Sequence, residues 1–258
     1  MTIEAENTIR RAGFWRRIGS LLLDAVVVLL PLQVVVAVLF ALTNGQIQGR
    51  FGLNLGGCDQ LSQLPPGLQT QVENPNGVQT CTWGFPGLPT SKLLVVSRSE
   101  TEGAFTSTVS ESFWLDKDGQ LADRAGYDVT WIALLLLVIY MVVLEIRRGR
   151  TIGDRIMRIR VVDPARPEVV GLPAARSIGR RLAYWIGAVP AAVVNAPILY
   201  YRYDVAKMSA YVATPAYRYG SYIALAAAAA WLIWIMVTIV RKRDPIYDRL
   251  ARTAVIRG

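Results

Sequence analysis

Asp24 stands inside an otherwise apolar run, GSLLLDAVVVLLPL, and Arg17 precedes it by seven residues. On an α-helix that spacing is two turns, so both side chains share one face, roughly 10 Å apart along the axis. They can point into the same interior without touching. An ionised carboxylate at the centre of a membrane helix costs about 2.5 to 3.5 kcal/mol on an insertion scale. Asp24 lies nearer the end of its run, should face protein, and calls for a basic partner; Arg17, Arg148, Arg180 and Arg181 are the candidates. Two kinds of chemistry fit: Asp24 locks the first helix to an arginine-rich linker, or it is a site for a proton or a monovalent cation.

Other polar groups extend the choice. Glu145 closes a second apolar run beside Arg147 and Arg148. As a second acid at the depth of Asp24 it would offer coupled titration and a cation cradle; the plainer alternative is an ion pair with its sequence neighbours. Asp248 lies in a short basic element where Arg252, four residues on, is a ready partner. Asn195, between Pro190 and Pro197, marks either a broken helix whose freed carbonyls take an ion or, like Gln33, a hydrogen bond to another helix. The chain has no histidine for general base catalysis, no phosphate-cradling glycine loop and no zinc-ligand cluster, so no enzyme, cofactor or metal is expected.

These residues need a membrane to make sense of them. The 258 residues are 53% hydrophobic and carry a net charge of +9, which fits an integral membrane protein better than a soluble domain. Four runs are long enough, or nearly so, to cross a hydrocarbon core of roughly 30 Å: 19–42, 129–146, 182–201 and 219–240. The first is too long for a cleaved signal and should remain as an anchor, and the third, broken by prolines, should be kinked. The segments 1–18, 147–181 and 241–258 then share one side and hold 20 of the 28 basic residues. That side is expected to be the cytoplasm, with both termini in it. The basicity is therefore mostly topology; no nucleic-acid partner is expected, while some arginines could hold anionic lipid headgroups.

The opposite side would carry a loop at 202–218 and a longer segment, 43–128, rich in Gly, Pro, Asn, Gln, Ser and Thr. Cys58 and Cys81 both fall in the longer segment, where a disulfide can persist; without histidine, two thiols make a poor metal site. SKLLVVSRSETEGAFTSTVSESFWLDKDGQ alternates partly and contains turn-forming SETEG and DKDG, which predicts a β-hairpin or short sheet. This outer domain is either a docking surface or an ordered cap. Aromatics at Trp185, Tyr200, Tyr201, Tyr203, Trp231 and Trp234 suit interface anchoring or helix packing.

On the basic side, Thr151 and Asp154 can form a capping box, and Ile152, Ile156 and Ile159 recur at helical spacing, which predicts a short amphipathic helix at the membrane surface. IRVVD reads as extended. The C-terminus repeats the pattern: Asp244 can cap, Pro245 suits a first turn, IYDRLA is helical and TAVIRG extended, so the two strands could pair.

Three blocks, RAGFWRRIGSLLLDAVVVLLP, GRTIGDRIMRIRVVD and DPIYDRLARTAVIRG, resemble in order the signatures of the RDD family of bacterial membrane proteins. The resemblance puts the family's arginine at Arg17 and its two aspartates at Asp24 and Asp248; the long segment between the first two spans departs from it. It implies a multi-pass protein of the bacterial inner membrane, in a family most of whose members are uncharacterised and a few of which are described as sodium-proton antiporters. The expected architecture is mainly α, a four-helix transmembrane bundle with a small disulfide-stapled extracytoplasmic domain containing β structure. The expected function is an accessory or scaffold subunit docking a membrane-protein partner or a second copy. The alternative is a cation-proton antiporter in which Asp24 carries proton and cation, Glu145 assists and Arg17 tunes it.

Overall fold

The computed structural model describes residues 11–52, 55–85, 87–103, 105–201 and 204–257; Arg10 and Tyr203 lie outside them. About half of the chain is helical. In order, α1 (Phe14–Leu42) is followed by β1 (Ile47–Gln48), β2 (Leu55–Gln60), β3 (Gly77–Phe85), β4 (Leu88–Glu102), β5 (Phe105–Trp114) and β6 (Tyr127–Asp128). Then come α2 (Thr130–Arg148), α3 (Ile152–Ile156), β7 (Ile159–Val162), α4 (Ala174–Tyr184), α5 (Val189–Tyr200), α6 (Val205–Val212), α7 (Pro215–Val240), α8 (Ile246–Leu250) and β8 (Ala254–Arg257).

Four helical stretches are long and apolar enough to cross a membrane: Phe14–Leu42, Thr130–Arg148, Ala174–Tyr200 and Pro215–Val240. Their large apolar side chains, Leu22, Val35, Leu134, Ile223 and Ile233 among them, are exposed, the reverse of a water-soluble core. Three of them start earlier than the hydropathy pattern predicts, the fourth stretch at Pro215 rather than 219. α1 takes in Arg16 and Arg17, and the third stretch begins at Ala174, because AARSIGRRLAY is rich in good helix formers. Three arginines expected in a linker thus lie on α4. The irregularity expected in this stretch falls at Trp185–Ala188, a 3-10 turn between α4 and α5. Pro190 has no N–H, and its ring would strike the carbonyl of Ile186 in a regular α-helix. Pro197 is accommodated inside α5. The segment expected as a loop at 202–218 contains α6, capped by Asp204, whose side chain accepts from the Lys207 amide.

The chain forms two compact units. One comprises Leu29–Leu135 and Val194–Tyr222. Here β2, β3, β4 and β5 form an antiparallel meander in that order, with Val72, Leu94, Val96 and Leu115 as its core. Cys58 stands directly opposite Cys81 in the β2–β3 register and is disulfide-bonded to it. β1 and β6 pair in parallel at the two ends of this segment. Gln48 of β1 is buried: its Nε2 donates to the Gly45 and Leu115 carbonyls at 2.7 and 2.8 Å, and its Oε1 accepts from the Lys92 amide at 2.8 Å. The disulfide spans 23 residues, and closing such a loop stabilises by about 3 kcal/mol in the chain-entropy model. Replacing both cysteines by serine should raise the exchange rates of β2–β3 amides on the order of a hundredfold and leave those of β7–β8 unchanged, as read by hydrogen exchange.

The other unit takes the described residues up to Val28, together with Leu136–Val193 and the chain from Ile223. The pairing expected of IRVVD and TAVIR is present: β7 and β8 are antiparallel, with Ile159 opposite Arg257 and Val162 opposite Ala254. Arg11 bridges to Ile256, and Ala12 donates its amide to the Val255 carbonyl. Ala12, Ile159, Val161, Leu172 and Val255 make one buried cluster. Asp244 does not cap α8 as expected. Pro245 is the N-cap residue, without a side-chain hydrogen bond, and Asp244 pairs with Arg11 at 2.9 Å. Burial raises the Asp244 carboxyl above the usual range, against the pull of Arg11.

Candidate functional site

The predicted residues Arg17, Asp24, Glu145 and Asp248 all fall in this second unit, in two buried polar clusters. The first is built on the start of α3. Thr151 is its N-cap; the threonine hydroxyl accepts from the Asp154 amide and Asp154 accepts from the Thr151 amide, both at 3.1 Å. This is the capping box read from the sequence. The Thr151 hydroxyl gives its proton to Asp24 Oδ2 at 2.6 Å, while Asp24 Oδ1 accepts from the Gly153 amide and from the Tyr140 hydroxyl, each at 2.8 Å. Tyr140 in turn accepts from the Ile152 amide. Ser20, one turn before Asp24 on α1, donates to Asp154 Oδ1 at 2.6 Å. So one face of α1 grips the first turn of α3 through both a hydroxyl and a carboxylate.

Among the described residues no arginine reaches Asp24. The basic partner expected for it is replaced by two hydroxyls and a backbone amide, which share the carboxylate's charge without bringing a cation. Gly153 makes this possible. A Cβ there would collide with the Ser20 carbonyl oxygen and lie 2.9 Å from Asp24 Oδ1, so any other residue would push the helix start away.

The second cluster joins α1, α2, α4 and α8. Asp248 is fully buried and accepts from Arg17 Nη1 at 2.8 Å and Arg180 Nε at 2.5 Å. Arg180 also reaches Glu145 through Nη1 at 2.7 Å, Arg181 pairs with the same Glu145 oxygen, and the other Glu145 oxygen accepts from Ser177 at 2.8 Å. Ser177, Arg180 and Arg181 are three and four residues apart and so share one face of α4. The guanidinium of Arg180 lies 5.7 Å from the centre of the Tyr247 ring, within cation–π range. Burial pushes the Tyr247 phenol up to about 12, so it stays neutral at physiological pH.

Both bland pairings expected from sequence are displaced. Glu145 takes Arg180 and Arg181 rather than Arg147 and Arg148. Asp248 takes Arg17 and Arg180 rather than Arg252, because α8 stops at Leu250 and Arg252 has a left-handed backbone (φ 52°), which removes the i,i+4 geometry. Asn195 is exposed on α5, in the other unit, and joins neither cluster. Sequence reading missed Ser20, Tyr140 and Ser177. Ser20 and Ser177 carried a signal, since each shares a helical face with a charged residue already singled out; Tyr140 carried none.

The arrangement limits the chemistry. In the second cluster three guanidiniums meet two carboxylates, so every acid there is compensated. In the first, Asp24 and Asp154 are linked by Thr151 with no cation among their described partners. No group of three or more His, Cys, Asp or Glu side chains that could hold a metal occurs among the described residues.

A comparison with family models matches residues 113–252 to the RDD family. The chain belongs to the RDD family. The matched span begins at the end of β5 and covers Tyr140, Glu145, the α3 cap, the α4 arginines and Asp248; the RDD match leaves most of the β-rich segment outside. Arg17, Ser20 and Asp24 also precede it, yet the structure sets them against RDD residues of α2, α3 and α8. No curated protein and no solved structure gives a significant match.

Proposed function

We propose that this RDD-family membrane protein is an accessory or scaffold subunit of a bacterial inner membrane, with both termini in the cytoplasm and the β-sheet unit outside as a docking surface for a membrane-protein partner. The observation that carries this reading is the saturation of the two family carboxylates and of Glu145. Asp24 has three protein donors and Asp248 two guanidiniums, and Glu145 is held on both oxygens. Groups held in this way fix helices to one another and are poorly placed to exchange an ion at every cycle. The inserted sheet, most of which lies outside the family match, fits a role special to this chain.

One observation favours a second reading, a cation-proton antiporter: Asp24 and Asp154 form a buried acidic pair without a cationic partner among the described residues, and intramembrane carboxylates are functional sites by default. Proteoliposomes separate the two. With sodium and potassium gradients applied in turn, the scaffold reading expects no cation-dependent proton flux from the wild type, and a lower melting temperature for Asp24→Asn in detergent. Flux in the wild type that disappears in a stable Asp24→Asn protein would replace it with the antiporter.

A further inference from the structure

The last turn of α7 borders a cleft of about 450 Å3 with two unlike ends. Trp234, Val237 and Thr238 line it from α7 and Arg241 from just past its end; the Arg241 amide still bonds the Val237 carbonyl, so the spacing i, i+3, i+4 and i+7 continues one stripe of the helix. The stripe runs from an apolar end, where Trp234 and Val237 are exposed inside the span, to a guanidinium just past it. The opposite wall is made by the chain turning back. Lys242 adopts a left-handed conformation (φ 56°), the Lys242 amide bonds the Ile239 carbonyl and the Arg243 amide bonds the Thr238 carbonyl. That is the Schellman pattern, and it folds Arg243 back beside α7, where Arg249 of α8 also lines the cleft.

Arg241, Arg243 and Arg249 are exposed, and none makes an ion pair among the described residues. Among the described residues the one acid lining the cleft, Asp244, is already paired with Arg11. Three unpaired guanidiniums beside a half-exposed tryptophan, at the end of a membrane-spanning helix, are complementary to a ligand with a negative head and an apolar tail. We infer that this cleft binds the headgroup of an anionic phospholipid, its phosphate held by Arg241, Arg243 and Arg249 and its glycerol and upper acyl chain along Val237 and Trp234. A basic pocket at a helix end is the usual form of such sites. Free phosphate would satisfy the guanidiniums but has no use for the apolar end.

The test is native mass spectrometry of the purified full chain, titrated with phosphatidylglycerol, phosphatidylcholine or inorganic phosphate. The wild type should retain phosphatidylglycerol over phosphatidylcholine, and excess phosphate should not displace it. Combining Arg241→Gln, Arg243→Gln and Arg249→Gln should weaken that retention by about a hundredfold, whereas the same charge change at Arg155, Arg158 and Arg166 should not. Equal retention of the two lipids, equal retention by the triple variant, or displacement by phosphate alone would overturn the assignment. A measurement without the triple variant reaches the same point: brominated phosphatidylglycerol should quench the fluorescence that Trp234→Phe removes, and failure to quench it overturns the site.

Discussion

Asp248→Leu should lower the stability of the detergent-solubilised protein by about 3 to 5 kcal/mol, the range measured when one partner is removed from a buried ion pair. The loss comes less from the missing attraction than from what remains. Arg17 is left buried without its carboxylate, and Arg180 keeps only Glu145, which it shares with Arg181. Asp248→Asn should fall between: its amide oxygen can still accept one guanidinium, but its NH2 is turned toward the other. Combining Asp248→Leu with Arg17→Met should recover part of the loss, because an apolar pair of similar volume removes the uncompensated charge. Denaturant titration of the three variants checks this, and a loss below about 1 kcal/mol for Asp248→Leu would show that the cluster is solvated like a surface ion pair.

Gly153→Ala should cost nearly as much while adding one methyl group. The new Cβ meets the Ser20 carbonyl and the Asp24 carboxylate, both of them fixed, so α3 has to leave α1. Overpacking of a close contact costs about 1 to 3 kcal/mol, and the Gly153 amide's hydrogen bond to the buried Asp24 carboxylate, worth about 1.5 to 3 kcal/mol, goes with it. The expected total is about 3 to 5 kcal/mol. Gly19→Ala is a useful contrast, since its Cβ meets only the flexible end of Met157, and Gly179→Ala meets nothing within 4 Å. Both should stay within about 1 kcal/mol of wild type, for want of a rigid neighbour. Melting temperatures of the three glycine variants, measured side by side, decide the matter.

What could be read without coordinates was whatever depends on local period or on chemistry tied to a compartment. The apolar spans follow from run length, the Thr151–Asp154 box from a three-residue spacing, β7 and β8 from extended segments bounded by helix stops, and the Cys58–Cys81 bridge from the pairing of the only two thiols. The β-rich segment was legible as β structure, but its four-stranded order was not, since register depends on which strands meet. The same limit applies to the clusters. Asp24, Glu145, Arg17 and Asp248 could be singled out, but their partners could not be chosen. A carboxylate in a helix has several arginines within reach of its sequence, and the selection is made by which faces of α1, α4 and α8 come together. Gln48 is the clearest case of the illegible: nothing distinguishes it from the other glutamines of its segment, yet its amide satisfies three backbone groups.

The bond from Arg17 to Asp248 spans 231 residues, and that separation has a bearing on biogenesis. At ribosomal speeds of roughly 5 to 20 residues per second, the arginine enters the translocon on the order of tens of seconds before its carboxylate is made. Throughout that interval the nascent chain holds Arg17 without this carboxylate, and Arg180 and Arg181, once made, can share only Glu145. Completion of the charge network therefore waits on the synthesis of α8, so that a product terminated before Asp248 leaves Arg17 an unmet cation while one that contains Asp248 does not.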